Sequence, residues 1–288
     1  MDPFLAVLLS WNADPLAGAG LLLAAFWYVR GCQRLARSGG FHRQLGVGRV
    51  AAAFLGWAVL AIALLSPIAV FGGFFLSAHM LQHLLIVQVA APLLLLGRPV
   101  PTVLLGLPRS LGRALAPLLA RDGPLYRLGS WLSEPVVSLV VSQAIFLGWH
   151  LPPLYDAAIR NGLLHGVEHL TFLGSALLFW WPALDPLSGR NQRRRFMSLI
   201  SLFVAFMLAN VLGIWFVFTD TVVYPSYAVG PRLFGVAPRD DQIAGGLVMW
   251  ILGGLLYMVG LMGVAAAAMR AEEEATRRRE AREAALAP

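Results

Sequence analysis

Long apolar runs separated by short, arginine-bearing connections leave this chain few folds to choose from. A helix needs about 20 apolar residues to cross the hydrocarbon core of a bilayer, whereas a barrel strand needs about ten, alternating in polarity. The runs here are continuous and near the helical length, so they predict spanning helices. Seven spans are expected, over Leu16–Val29, Val50–Val70, Phe75–Leu96, Pro135–Trp149, His165–Trp181, Phe196–Phe218 and Ile243–Ala268, with Ser66-Pro67 interrupting the second near its end. Composition agrees: 13% of residues are charged and 58% hydrophobic, with mean hydropathy +0.71, while a soluble domain carries about 25% charged residues. The expected fold is all-α, a polytopic membrane helical bundle. Residues 1–270 read as one transmembrane domain and 271–288 as a charged cytoplasmic helical tail. In that tail Glu273 and Arg277, and Glu274 and Arg278, stand at i, i+4. The start, Met1-Asp2-Pro3, lacks a basic leader and reads as the approach to a first span.

The arginines orient the bundle. All 22 basic residues are Arg, and 19 of them fall on alternate connections: between the first and second spans, the third and fourth, the fifth and sixth, and after the seventh. Arg160, Arg232 and Arg239 are the three on the other side. Positive charge stays in the cytoplasm, so the N-terminus is expected outside and the C-terminus inside. The same placement argues against nucleic acid as the reason for the net charge of +7. Within the 98–132 connection, Arg109–Arg121 is amphipathic and reads either as a helix on the cytoplasmic interface or as a solvated loop. The single Cys32 supports neither a disulfide nor a thiolate metal site.

Orientation then gathers the histidines. His79 and His83 open the third span, His150 ends the fourth, and His165, Glu168 and His169 open the fifth. All five histidines fall within about 12 Å of the outer boundary, counting 1.5 Å per residue. An i, i+4 pair shares one helix face, and two imidazoles on one face can hold one metal ion. Ionisable groups in a membrane cost about 2.5–3.5 kcal/mol at the centre, which makes them functional candidates. The expected site is a mononuclear or dinuclear metal centre between the third and fifth spans. Glu168 can serve as ligand, proton acceptor or hydrogen-bond partner of a ligand. Asp241 and Gln242 reach the same layer from the seventh span, Asp241 equally as a helix N-terminal acid. Met80 and Met249 are candidate soft ligands for Cu(I) or ordinary packing. His42, in an Arg-rich connection, receives no role.

Other readings remain open at this point. Each histidine pair can simply bridge helices by hydrogen bonds, as in a scaffold without metal. Residues His165 to His169 also spell HxxEH, a spacing used by zinc proteases in which the Glu activates a zinc-bound water. That reading needs a third ligand and a substrate groove. Histidines one turn apart cannot ligate separate stacked haems.

Three stretches carry a family likeness: SAHMLQHLLIVQVAAPLLLLGRP (77–99), WHLPPLYDAAIRNGLLHGVEHLTFLGSALLFWWP (149–182) and DDQIAGGLVMWILGGLLY (240–257). In them the chain resembles the CtaG family of assembly factors for caa-type cytochrome c oxidase. The resemblance implies a non-enzymatic, multi-pass protein of the bacterial plasma membrane that acts on oxidase subunits and handles copper, with zinc the alternative ion. Carried over by position, the implied polar residues are His79, His83, His150, His165, Glu168, His169, Asp241 and Gln242.

Overall fold

The structure, a computed structural model, describes residues 2–120, 122–184 and 192–286, and every α-helical, 3-10 or π-helical element among them is a helix, with no strand. The expected seven spans are present as α1 (Pro15–Arg37), α2 (Gly46–Leu65), α3 (Leu76–Leu96), α4 (Pro135–Trp149), α5 (Gly162–Leu184), α6 (Gln192–Phe218) and α7, which starts at Pro238. Six are long and apolar enough to cross a bilayer alone. The exception is α4, whose 15 residues follow a separate helix, Pro124–Leu132, at a bend of 79°.

Local chemistry sets the ends. Pro15 opens α1 behind Asp14, whose carboxylate accepts from the backbone N–H of Leu16 and Ala17 at 2.9 and 3.1 Å, the standard way to satisfy orphan donors. α1 outlasts its apolar run because Arg34 and Arg37 suit a helix C-terminus; Arg34 also donates to the Leu107 carbonyl at 2.7 Å. Ser66 ends α2 and caps the short helix Pro67–Gly72, so the break expected at Ser66-Pro67 is real. α3 widens into a π-helical segment at Leu85–Ala90 just before Pro92. Proline cannot donate to the carbonyl four residues back and clashes with it, and a π turn relieves both. α7 contains a second π turn, Val248–Leu252, and continues as Gly253–Leu286 into the charged tail. Of the two tail pairs, Glu274 and Arg278 meet at 3.4 Å on an exposed surface. The amphipathic stretch forms a helix over Arg109–Leu119 with no buried residue; Arg121, Arg190 and the last two residues lie outside the described residues.

Five spans make a closed ring in which α3 packs on α5, α5 on α4, α4 on α6, α6 on α7, and α7 returns to α3. α2 backs α3 from outside the ring, and α1 stands against α2 and the short helix Pro99–Gly106. The most apolar window of α3 is 50% buried and that of α1 only 11%. α3 is therefore the central rod, and α1 turns most of its surface to lipid. Backbones touch where α1 meets Pro99–Gly106. A methyl group at Gly106 would lie 1.9 Å from the Trp27 carbonyl oxygen, and one at Gly31 1.9 Å from that of Thr102. Gly106→Ala must push these helices apart, and overpacking of this kind costs about 1–3 kcal/mol. A lowered thermal midpoint in detergent is the expected readout, with an unchanged midpoint refuting the contact.

Candidate metal centre

The site begins at the first turn of α3. Its own N-cap residue, Phe75, offers no side-chain acceptor. Asp241 of α7 supplies one: its carboxylate accepts from the Leu76 N–H at 2.6 Å, the Ser77 N–H at 3.2 Å and the Ser77 hydroxyl at 2.5 Å. Gln242 fastens the α6–α7 connection, accepting from the Val223 N–H at 2.7 Å and donating to the Thr221 carbonyl at 3.0 Å. Gln82 ties α3 to α2 through the Ala63 carbonyl at 2.9 Å. These anchors fix the height and rotation of α3, and with them His79 and His83.

On α5, Asn161 caps the helix by accepting from the N–H of Leu163 and Leu164 at 3.0 and 3.2 Å. One turn later come His165, Glu168 and His169. Trp149 of α4 donates to Thr171 of α5 at 2.9 Å, which holds these helices together at the same end of the bundle.

The two histidine pairs meet. Ring centroids lie 4.2 Å apart for His79 and His83 and 4.2 Å for His165 and His169. Across the helices they are 5.2 Å apart for His79 and His165 and 5.4 Å for His83 and His169. Ligand atoms of His79, His83 and His169 all lie within 4.8 Å of one another, as do those of His79, His165 and Glu168. Nε2 of His79 is 3.2 Å from Nε2 of His165. Two nitrogens bound at 2.0–2.1 Å to one tetrahedral ion stand about 3.3 Å apart, so this pair already has ligand spacing.

The far side of His79 is held by tyrosines that sequence reasoning did not single out. Tyr227 donates its hydroxyl to the Gly72 carbonyl at 2.7 Å, and its oxygen lies 3.1 Å from His79 Nδ1, where the Tyr155 hydroxyl also bonds. Burial holds the Tyr227 phenol well above the usual tyrosine range, so it stays protonated. The two hydroxyls hold the His79 ring by Nδ1 and leave Nε2 turned toward His165. Partners of this kind set the tautomer of metal-ligating histidines, and losing one costs 10–100-fold in metal affinity. Tyr227→Phe is expected to weaken metal binding by about that factor in a competitive titration; unchanged affinity would remove Tyr227 from the site. The only sequence cue was Tyr155 itself, inside the run between His150 and His165.

Buried polar atoms are ordinarily paired, yet several here have no partner among the described residues. Both ring nitrogens of His83, Nε2 of His169, Nε2 of His150 and both carboxylate oxygens of Glu168 are buried without a hydrogen bond. Glu168 is fully buried, with Oε1 3.7 Å from His83 Nε2. The unpartnered atoms of His83, His169 and Glu168, beside the closely spaced His79 and His165, fit a cation in one small volume. His150 stands apart: its Nδ1 donates to the Phe146 carbonyl at 2.7 Å, and its ring shares a cavity with His83. Asp241 is outside both ligand groups and spends its oxygens on α3.

An uncharacterized protein of Mycobacterium leprae (strain TN) is 26% identical over 254 residues, covering 83% of this chain and 36% of the relative. Another, from Mycobacterium bovis, is 31% identical over 187 residues, covering 62% of this chain and 27% of the relative. The chain thus spans about a third of the length of the curated relatives it matches. No solved structure matches it. Residues 26–271, which include every candidate residue named above, match the profile described as cytochrome c oxidase caa3 assembly factor, Caa3_CtaG. The chain belongs to that family of oxidase assembly factors.

Proposed function

We propose that this multi-pass protein carries copper for the assembly of cytochrome c oxidase in the bacterial plasma membrane, holding the ion among His79, His83, His165 and His169 and releasing it to an oxidase subunit. The observation that carries the reading is the set of buried, unpartnered nitrogens of His83 and His169 on two facing helices, beside the His79–His165 pair, whose Nε2 atoms already stand at ligand spacing. Copper is the cargo. Neutral imidazoles bind it without thiolate, so ligands can be exchanged one at a time and the ion let go. His165, only partly buried, lies at the edge of the cluster, while His79 and His83 are buried behind it. The arginine distribution supports an outer-side position for this end of the bundle. Glu168 supplies negative charge beside the ion and lowers the cost of keeping a cation in a medium of low polarity.

A scaffold that only bridges helices fits less well, because His83 makes no hydrogen bond at all through either nitrogen. The protease reading would have Glu168 activate water in an accessible groove, and Glu168 is fully buried. The test is metal content after mild purification, together with oxidase activity in a deletion strain grown with added copper. Bound copper and rescue by copper are the expected results. A metal-free protein that cannot be loaded, with no rescue by copper, would refute the carrier.

A further inference from the structure

Beyond His83 the ring of five spans encloses a cavity of about 60 Å³, room for about two waters. Its wall carries His83 and Met80 from α3, His150 from α4 and Met249 from α7. Gln88 and Gln143 lie further along. Three features distinguish this space from a packing defect.

The first is the sign of its unpartnered atoms. A carbonyl oxygen can only accept, so His150 carries its proton on the Nδ1 that faces Phe146 and presents a lone pair on Nε2. Oε1 of Gln88 and of Gln143 are likewise buried acceptors without a donor. A buried cavity lined by acceptors without donors suits a cation as well as it suits water. The second is sulfur. Met80 and Met249 belong to one buried cluster, and thioethers beside imidazoles are a soft ligand set that selects Cu(I) over harder ions. The third is backbone. Gln88 and Met249 each sit in one of the two π turns, so both local departures from the α-helix bear on this one cavity.

We propose that the cavity is a second station for Cu(I), formed by His83, His150, Met80 and Met249 and distinct from the outer group of His79, His165 and His169. His83 stands between them: its neutral ring carries a single lone pair, so it ligates in one group at a time and, with both stations filled, belongs to the inner one. An ion leaving the outer imidazoles would move one helical turn along α3 and exchange nitrogen for sulfur ligands. This rests on the copper-carrier reading above and adds to it a place inside the bundle where the ion is stored.

The experiment is an anaerobic titration of the full chain in detergent with Cu(I) against a chromogenic chelator, followed by copper-edge X-ray absorption. Wild type is expected to bind two ions per chain, with sulfur as well as nitrogen neighbours. Met80→Leu/Met249→Leu, a swap that nearly conserves volume, should bind one ion with nitrogen neighbours only. His165→Ala/His169→Ala should keep one ion with sulfur still present. One ion in wild type with nitrogen neighbours only, unchanged by the leucine pair, would overturn this inference and leave the carrier standing; so would two ions without sulfur. No Cu(I) bound by wild type would overturn both. Because the leucine pair could disturb packing, selenomethionine-labelled protein gives a second measurement. Loading with Cu(I) should place a copper neighbour at selenium, and its absence overturns the second station.

Discussion

His83→Ala/His169→Ala is expected to abolish stoichiometric copper binding and, in cells, the assembly of active oxidase at ordinary copper levels. Each substitution takes one imidazole from a different helix, so neither α3 nor α5 retains its i, i+4 pair. Loss of even an outer partner of a ligand costs 10–100-fold in affinity, and loss of two direct ligands should exceed 100-fold. The fold should tolerate the change. His83 is buried but makes no hydrogen bond, and His169 Nε2 is equally unpartnered; the one polar group that loses a neighbour is Glu168, 3.7 Å from His83 Nε2. Competitive copper titration measures the effect, with the thermal midpoint as the control. Unchanged copper stoichiometry in a well-folded double variant would eliminate this cluster as the site.

Asp241→Ala is expected to be the most destabilising single change at this end of the bundle. It leaves one buried and one half-buried N–H group of α3 without an acceptor and removes a contact to the Ser77 hydroxyl. Such losses amount to about 3 kcal/mol, which in a chain of this size shifts the thermal midpoint by on the order of 5–10 °C. Copper affinity should fall with stability, because His79 sits within the helical turn that Asp241 anchors. Were Asp241 a ligand instead, Asp241→Ala would lose copper at an unchanged midpoint. That outcome would overturn the capping role.

Much of this was legible in the sequence, and particular residues show why. The bundle was readable because six of the seven spans carry their own signal in length and hydropathy. The two histidine pairs were readable because i, i+4 spacing fixes a shared face whatever the helix packs against. Their meeting depended on the order in which spans pack, which follows from side-chain shapes along α3 and α5; arginine placement offered only an expected depth. Asp241 exposes the limit most clearly. A carboxylate at the start of one helix was expected to serve its own dipole or a metal, and it caps the helix beside it, 165 residues away. Tyr227 belongs to the same class, since a residue in a connecting turn announces no depth or face. The π turns had a local cause at Pro92 but no comparable cue at Val248–Leu252. His150, expected in the same layer as the two pairs, lines the neighbouring cavity with His83.

The brevity of α4 has a consequence for the surrounding lipid. Fifteen residues rise about 22 Å, whereas the hydrocarbon layer is about 30 Å thick. The helix before it departs at 79° and adds little height. Acyl chains bordering this flank must shorten or splay, at a fraction of a kcal/mol for every ångström of mismatch. Thick, sterol-like bilayers should therefore disfavour the protein, and thin ones should welcome it.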